Sequence, residues 1–231
     1  MPILSALLNI FKSFPKDLLI GINSSINTII MNFLSIDCST DIGSLFIKYK
    51  TKTFSKVLQS DKSNSDLLMQ KILDFLGENN LKFSDISQIF VNQGPGNFSG
   101  LRSSLAVAKG VSLSKNLSLF GYNTFLWSSA NFFNKRYSIF CLIKFRDEYF
   151  IKKYDQKLQK ISRTKKVSIS EITKKYDKKF MIAPKNIIKN FDKKILKLNN
   201  LKIVDLDHNV LEFLHLKGLL NGKSVKPFYL T

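Results

Sequence analysis

Histidine and cysteine are nearly missing from this chain, with two of each in 231 residues. Cys38 and Cys141 lie far apart and form no Cys-x-x-Cys pair, which argues against both a disulfide framework and a zinc site. Buried free thiols in a reducing, cytoplasmic setting are the expectation. His208 and His215 match no histidine metal motif and are expected around a helix over 208–220, as part of its surface or packing. The first thirty residues are apolar, yet Lys12, Pro15, Lys16 and Asp17 interrupt them before any run of eighteen. A membrane span is excluded there, and a secretory signal lacks its basic start and small-residue cleavage site. Residues 1–30 are read as an N-terminal extension, with Met31 an alternative start.

Lysine dominates what is present. The net charge is +19, and only four of the 36 basic residues are arginine. Residues 141–200 alone carry 18 basic and 6 acidic side chains. Such an excess attracts phosphate backbones. The chain is also rich in Phe, Ile and Asn, a mixture that adenine- and thymine-rich coding sequence produces. A solvated lysine face and a surface for RNA or an acidic partner therefore both stay open. The hydrophobic share of 44% excludes disorder throughout, and the length allows one large or two small domains.

The most informative stretch is "VNQGPGNFSGLRSS", residues 91–104. Ile89, Phe90 and Val91 read as a buried strand, and Leu101, Leu105, Ala108 and Val111 recur at helical spacing. Between them, Pro95 predicts a type II turn with positive φ at Gly96, and Ser99 is placed to cap the helix. A strand, tight turn and helix can hold an anion on free amides. A phosphate-binding loop would place glycine at 99 and lysine just after, but Ser99 and Arg102 stand elsewhere in that register. The dinucleotide glycine pattern fails at the same position.

Other elements follow from pattern. "FLSID" is a buried strand running into a polar turn at Ser39, Thr40 and Asp41, and two further strands meet near Lys50–Lys52 as a hairpin. "SNSDLLMQKILDFLG" predicts a helix with a capping-box-like start at Ser63–Asp66, apolar Leu68, Ile72, Phe75 and Leu76, and a stop at Gly77. A strand at "LSLFGY" and a helix over about 124–134 close the first half. A second hairpin turns at Arg146 and Asp147. A short helix capped by Ser168 or Ser170, strands at "FMIAP" and "KIVDLD", a helix "VLEFLHLKGLLNG" and an extended "KPFYL" complete the chain. The rhythm of strands and helices predicts two similar α/β lobes.

Gly94, Pro95, Gly96, Phe98, Gly100, Leu101 and Arg102, then Ala108, Lys109, Gly110 and Thr124, resemble the signature of the TsaB (YeaZ) family. "FLSIDCSTDIGSLFI" resembles the first phosphate-loop region of the actin/hexokinase/Hsp70 superfamily, and "KPFYL" is similar to the family's Pro-x-Tyr-Leu ending. The resemblance implies a two-lobed actin-like fold (the ASKHA, ribonuclease-H-like class) with a reduced second lobe: residues 31–125 form the first lobe and 126–231 the lysine-rich second.

It also implies a non-catalytic subunit of the tRNA threonylcarbamoyladenosine transferase complex. The implied partners are a TsaD-type catalytic subunit, a TsaE-type ATPase, tRNA through the complex, or a second copy of the chain. Implied contacts on two first-lobe helices are Leu68, Ile72, Leu105, Ala108 and Lys109. Asp37, Ser39 and Thr40 would be a vestigial cofactor site. The chain itself requires no cofactor, although ATP and magnesium could sit at the complex junction. No metal ligand set is expected: Lys144 stands where relatives commonly carry Asp, and Asp147 and Glu148 are read as solvated hairpin charges. Asn64 and Ser65 replace a histidine that many relatives carry. The alternatives are a stand-alone ATP-binding actin-like enzyme, or a tRNA-binding subunit acting through its basic lobe. A peptidase reading finds no Ser-His-Asp or metal constellation.

Overall fold

A computed structural model describes residues 31–40, 42–58, 67–222 and 224–230. The N-terminal extension, Asp41 and the helix start at Ser63–Asp66 therefore lie outside the described residues.

The sequence alternates between strand and helix periodicities, and it builds the same sheet twice. Strands β1 (Phe33–Asp37), β2 (Gly43–Tyr49) and β3 (Lys52–Leu58) form an antiparallel meander. Strands β4 (Gln88–Asn92) and β5 (Ser118–Tyr122) then add in parallel on the far side of β1, giving the order β3-β2-β1-β4-β5. The helices α1 (Leu68–Glu78) and α2 (Phe98–Lys115) are the crossovers.

In the second sheet, β6 (Ile139–Phe145), β7 (Glu148–Tyr154) and β8 (Lys165–Val167) repeat the meander. Strands β9 (Met181–Pro184) and β10 (Leu201–Val204) add in parallel beside β6. The order, β10-β9-β6-β7-β8, is the first plan again, read from the other edge. Its crossover helices, α4 (Ile169–Lys175) and α5 (Lys193–Leu196), are far shorter than α1 and α2.

Three apolar clusters hold this arrangement. Leu34, Ile36 and Val91 on one face of the first sheet meet Leu68, Ile72, Phe75, Leu105, Ala108 and Val111 from α1 and α2. Leu142, Ile151 and Met181 on one face of the second sheet meet Ile172 and Ile195 from α4 and α5. The remaining faces share a core with α3 (Thr124–Ser129) and α6 (Val210–Leu216), around Phe33, Phe90, Phe125, Trp127, Ile143, Phe150 and Leu211. Burying a side chain of this size is worth about 1.5–3 kcal/mol.

The last helix returns to the first sheet. Lys48 on β2 forms an ion pair with Glu212 of α6. His208, just before α6, hydrogen-bonds Ser44 and Ser35 at 2.9 Å each. His215 packs edge-on to Phe120, with ring centroids 4.3 Å apart.

Several boundaries depart from the sequence reading. Helix α1 continues through Gly77 to Glu78 and is closed by Asn79, because a glycine in a last turn does not itself need positive φ. Helix α3 ends at Ser129 and passes into a 3-10 turn over Ala130–Phe132. Ser168 is the cap of α4, in a reciprocal capping box with Glu171. Cys141 is buried as expected, whereas Cys38 is only partly buried. Among the described residues, no helix is long and apolar enough to cross a membrane.

Candidate functional site

The glycine-rich turn sits where the ends of β1 and β4 meet the first turn of α2. Its geometry corrects the local reading. The positive φ belongs to Gly94, at +105°, and the Gly94–Pro95 bond is cis. Gly96 is needed for space: a β-carbon there would stand 1.9 Å from the Ser39 carbonyl oxygen. Gly100, one helical turn later, would put a β-carbon 2.1 Å from the Cys38 carbonyl. These two glycines let α2 lie directly on the backbone that follows β1. The helix is capped by Asn97, whose side chain accepts from the Ser99 amide at 3.2 Å, so Ser99 is capped rather than capping.

A buried polar knot ties the turn to β1. The Asp37 carboxylate accepts from the Ser39 amide at 2.9 Å and from Asn92 Nδ2 at 3.0 Å. Asn92 Nδ2 also reaches Ser39 Oγ (3.2 Å) and Thr124 Oγ1 (3.1 Å), while its Oδ1 accepts from the Gly94 amide at 2.9 Å. The Gly94 carbonyl accepts from the Thr124 amide at 3.0 Å. Burial pushes the Asp37 carboxyl above its ordinary value, against the pull of its Ser39 and Asn92 hydrogen bonds. Thr40 is turned to the Ile42 carbonyl, at 2.7 Å.

The three residues expected at a cofactor site are thus together, but Asp37 and Ser39 are engaged with their own chain. Lys144 donates to the Asn190 carbonyl at 2.6 Å. Glu148 pairs with Lys166 at the hairpin. Asn92 is not singled out by the sequence; an amide directly ending the apolar run "IFV" is the signal available.

Phe98 and Arg102 extend outward from the turn. The Arg102 guanidinium lies over the Phe98 ring, 4.1 Å from its centroid, and Tyr229 of the C-terminal tail stacks on the same ring at 5.7 Å. The tail is anchored nearby, since the Phe228 amide donates to the Gln93 carbonyl and Gln93 Nε2 to the Lys226 carbonyl, each at 2.7 Å.

The faces of α1 and α2 differ from expectation. Leu68, Ile72, Leu105 and Ala108, expected as partner contacts, are buried in the first lobe's own core. Apolar periodicity marks the stripe a helix buries, and the sheet takes that stripe first. Lys109 is exposed, as a contact residue must be. Other outward positions on α1 are Met69, Leu73 and Gly77; on α2 they are Ala106, Gly110 and Leu113. Among the described residues, a β-carbon on Gly77 or Gly110 would meet nothing within 4 Å. Leu113 is 85% exposed.

Two sheets of one strand plan, each an antiparallel meander extended by parallel strands, define the two-lobed actin-like class, here with a reduced second lobe. A family model described as "TsaD: tRNA N6-adenosine threonylcarbamoyltransferase" matches residues 58–206. The chain belongs to that family, and within it to the TsaB (YeaZ) group.

A protein of Buchnera aphidicola subsp. Baizongia pistaciae, named tRNA threonylcarbamoyladenosine biosynthesis protein TsaB, is 32% identical over 84 residues, 36% of this chain and 38% of its own length. The namesake from Buchnera aphidicola subsp. Schizaphis graminum is 29% identical over 91 residues, 39% of this chain and 43% of its own. The chain thus matches well under half the length of these relatives. Among solved structures, YeaZ from Pseudomonas aeruginosa superposes with a TM-score of 0.63 at 16% identity, covering 87% of this chain and 100% of that one. A second Pseudomonas aeruginosa structure, described as similar to peptidase YEAZ, gives 0.67 at 15% identity with the same coverage. At these identities, the likeness is one of fold.

Proposed function

We propose that this protein is a non-catalytic subunit in the making of threonylcarbamoyladenosine in tRNA, and that it docks a TsaD-type catalytic subunit on the outward faces of α1 and α2. The observation that carries the reading is the second, outward stripe. Met69, Leu73 and Gly77 follow one another at i, i+4 spacing, as do Ala106 and Gly110, with Leu113 three further on. The inner stripes form the lobe core, and among the described residues this outer surface is left exposed.

Small residues allow another helix to approach closely, and exposed leucines supply apolar area. A glycine inside α2 costs about 1 kcal/mol relative to alanine. Among the described residues Gly110 has no neighbour to accommodate, which supports an approach from outside the lobe. The names of the relatives and the family match support a TsaD-type protein as that partner. The non-catalytic reading is supported by Asp37, whose carboxylate is spent on Ser39 and Asn92, and by Lys144, which is bound to a backbone carbonyl.

The test is to co-express the chain with its cognate TsaD-type subunit and assay the threonylcarbamoyl transfer. Co-purification, with transfer only when both are present, is the expected result. Transfer by this chain alone, or failure to co-purify, overturns the reading.

A further inference from the structure

A pocket of about 530 Å³ opens between β7, the segment 160–164 that follows it, and the C-terminal tail. Its lining combines three cations (Lys152, Lys160 and Arg163) with the rings of Phe150, Phe228 and Tyr229. Lys160 and Arg163 are exposed, whereas Lys152 is only 5% exposed. Among the described residues, no carboxylate lies within ion-pair reach of Lys152 and no hydrogen-bond acceptor meets its ammonium. Rings face it instead: Phe228 at 5.0 Å, Phe125 at 5.6 Å and Tyr154 at 5.8 Å from Nζ to the centroids.

An ammonium largely withdrawn from water, and open only toward the pocket, is costly without a counter-ion, and ring faces offset only part of that cost. Two further cations at the pocket rim raise it. Burial first, and the charge of Lys160 second, lower the Lys152 ammonium to about 8. Cys141 and Tyr154, which also lie near it, stay neutral: burial raises the Cys141 thiol to about 12 and the Tyr154 phenol well above its ordinary value. An anion entering the pocket would relieve all three cations at once.

We propose that this pocket binds the phosphoryl group of a small phosphorylated compound, held by Lys152 with Lys160 and Arg163. The volume is that of an ordinary small-molecule site. The compound is either a free inorganic polyphosphate or a phosphate ester on a flat ring, for which Phe228 and Tyr229 offer stacking faces. The site lies within this chain and is independent of the docking face on α1 and α2.

Calorimetric titration of the full chain with pyrophosphate, AMP and adenosine tests this. Binding of pyrophosphate or AMP, but not adenosine, is expected; tighter pyrophosphate indicates the inorganic source, and tighter AMP the ester. Lys152→Met should weaken binding by about tenfold or more. If that variant does not fold, the double variant Lys160→Gln with Arg163→Gln, both exposed, should weaken it while leaving the circular dichroism unchanged. A lysine titrating at about 8 is roughly 90% charged at pH 7 and 10% at pH 9, so AMP affinity should fall about tenfold between them. No binding at millimolar concentration, adenosine binding as well as AMP, or affinity indifferent to pH and to these substitutions overturns the proposal.

Discussion

The carbonyl oxygen of Ser39 lies 1.9 Å from where a β-carbon on Gly96 would stand, and the Asn97 amide donates to that same oxygen at 2.7 Å. The turn after β1 and the start of α2 are therefore one packed unit, and the glycine is the space between them. Gly96→Ala must push backbone against backbone, with no flexible side chain to yield. A loss of about 3 kcal/mol in urea denaturation is expected, the upper end for overpacking.

Gly110→Ala is the opposite case. Its β-carbon enters open space on α2, so the helix should gain about 0.5–1 kcal/mol. If a partner helix comes close there, the same change should weaken the complex. A variant that gains stability and loses partner affinity is the expected pair of outcomes; calorimetry of the chain alone and titration with the partner read them separately.

Asn92 serves four neighbours from the end of β4. Asn92→Leu keeps its bulk but strips the Asp37 carboxylate of a donor and leaves the Gly94 amide without its acceptor. Each buried group left unsatisfied costs about 1–3 kcal/mol, so a loss of about 3 kcal/mol or more is expected. A midpoint shift equal to that of an exposed substitution would show that the knot bears no weight.

Acid should destabilise the fold through His208. Burial lowers this imidazole to about 3, while in the unfolded chain it titrates near its ordinary 6.5. Only the unfolded state takes up the proton between those values. The group's contribution is thus complete above about pH 6.5 and shrinks as pH falls toward 3, by about 1.4 kcal/mol per pH unit. Stability measured by urea at pH 7, 6 and 5 should decline, and His208→Gln should flatten that slope.

The plan of the fold was legible where one periodicity ran unbroken. β1 spans Phe33–Asp37, as its apolar run predicts, and both hairpins turn at charged residues, Lys50 and Arg146. The short strand Lys165–Val167 and the helix Lys193–Leu196 carry too few residues in a lysine-rich stretch to show a period. Long-range chemistry was hidden for a different reason. Lys152 looks like one more lysine in a basic run until Phe228, 76 positions later, is folded over it, and no local spacing encodes that meeting. The helix faces were half legible: spacing found the stripe that is buried, and the second stripe beside it, broken by glycines and lysine, carries the proposed contact.

The most direct test of the central claim is the affinity of this chain for its TsaD-type partner, measured for wild type and for Leu113→Glu and Leu73→Glu. Both leucines are exposed, so the variants should fold with stability changed by no more than about 0.5 kcal/mol. A docking face on α1 and α2 predicts that each charge lowers partner affinity at least about tenfold, the scale of a truncated interface anchor. Unchanged affinity in both variants, with the complex still formed, would contradict it.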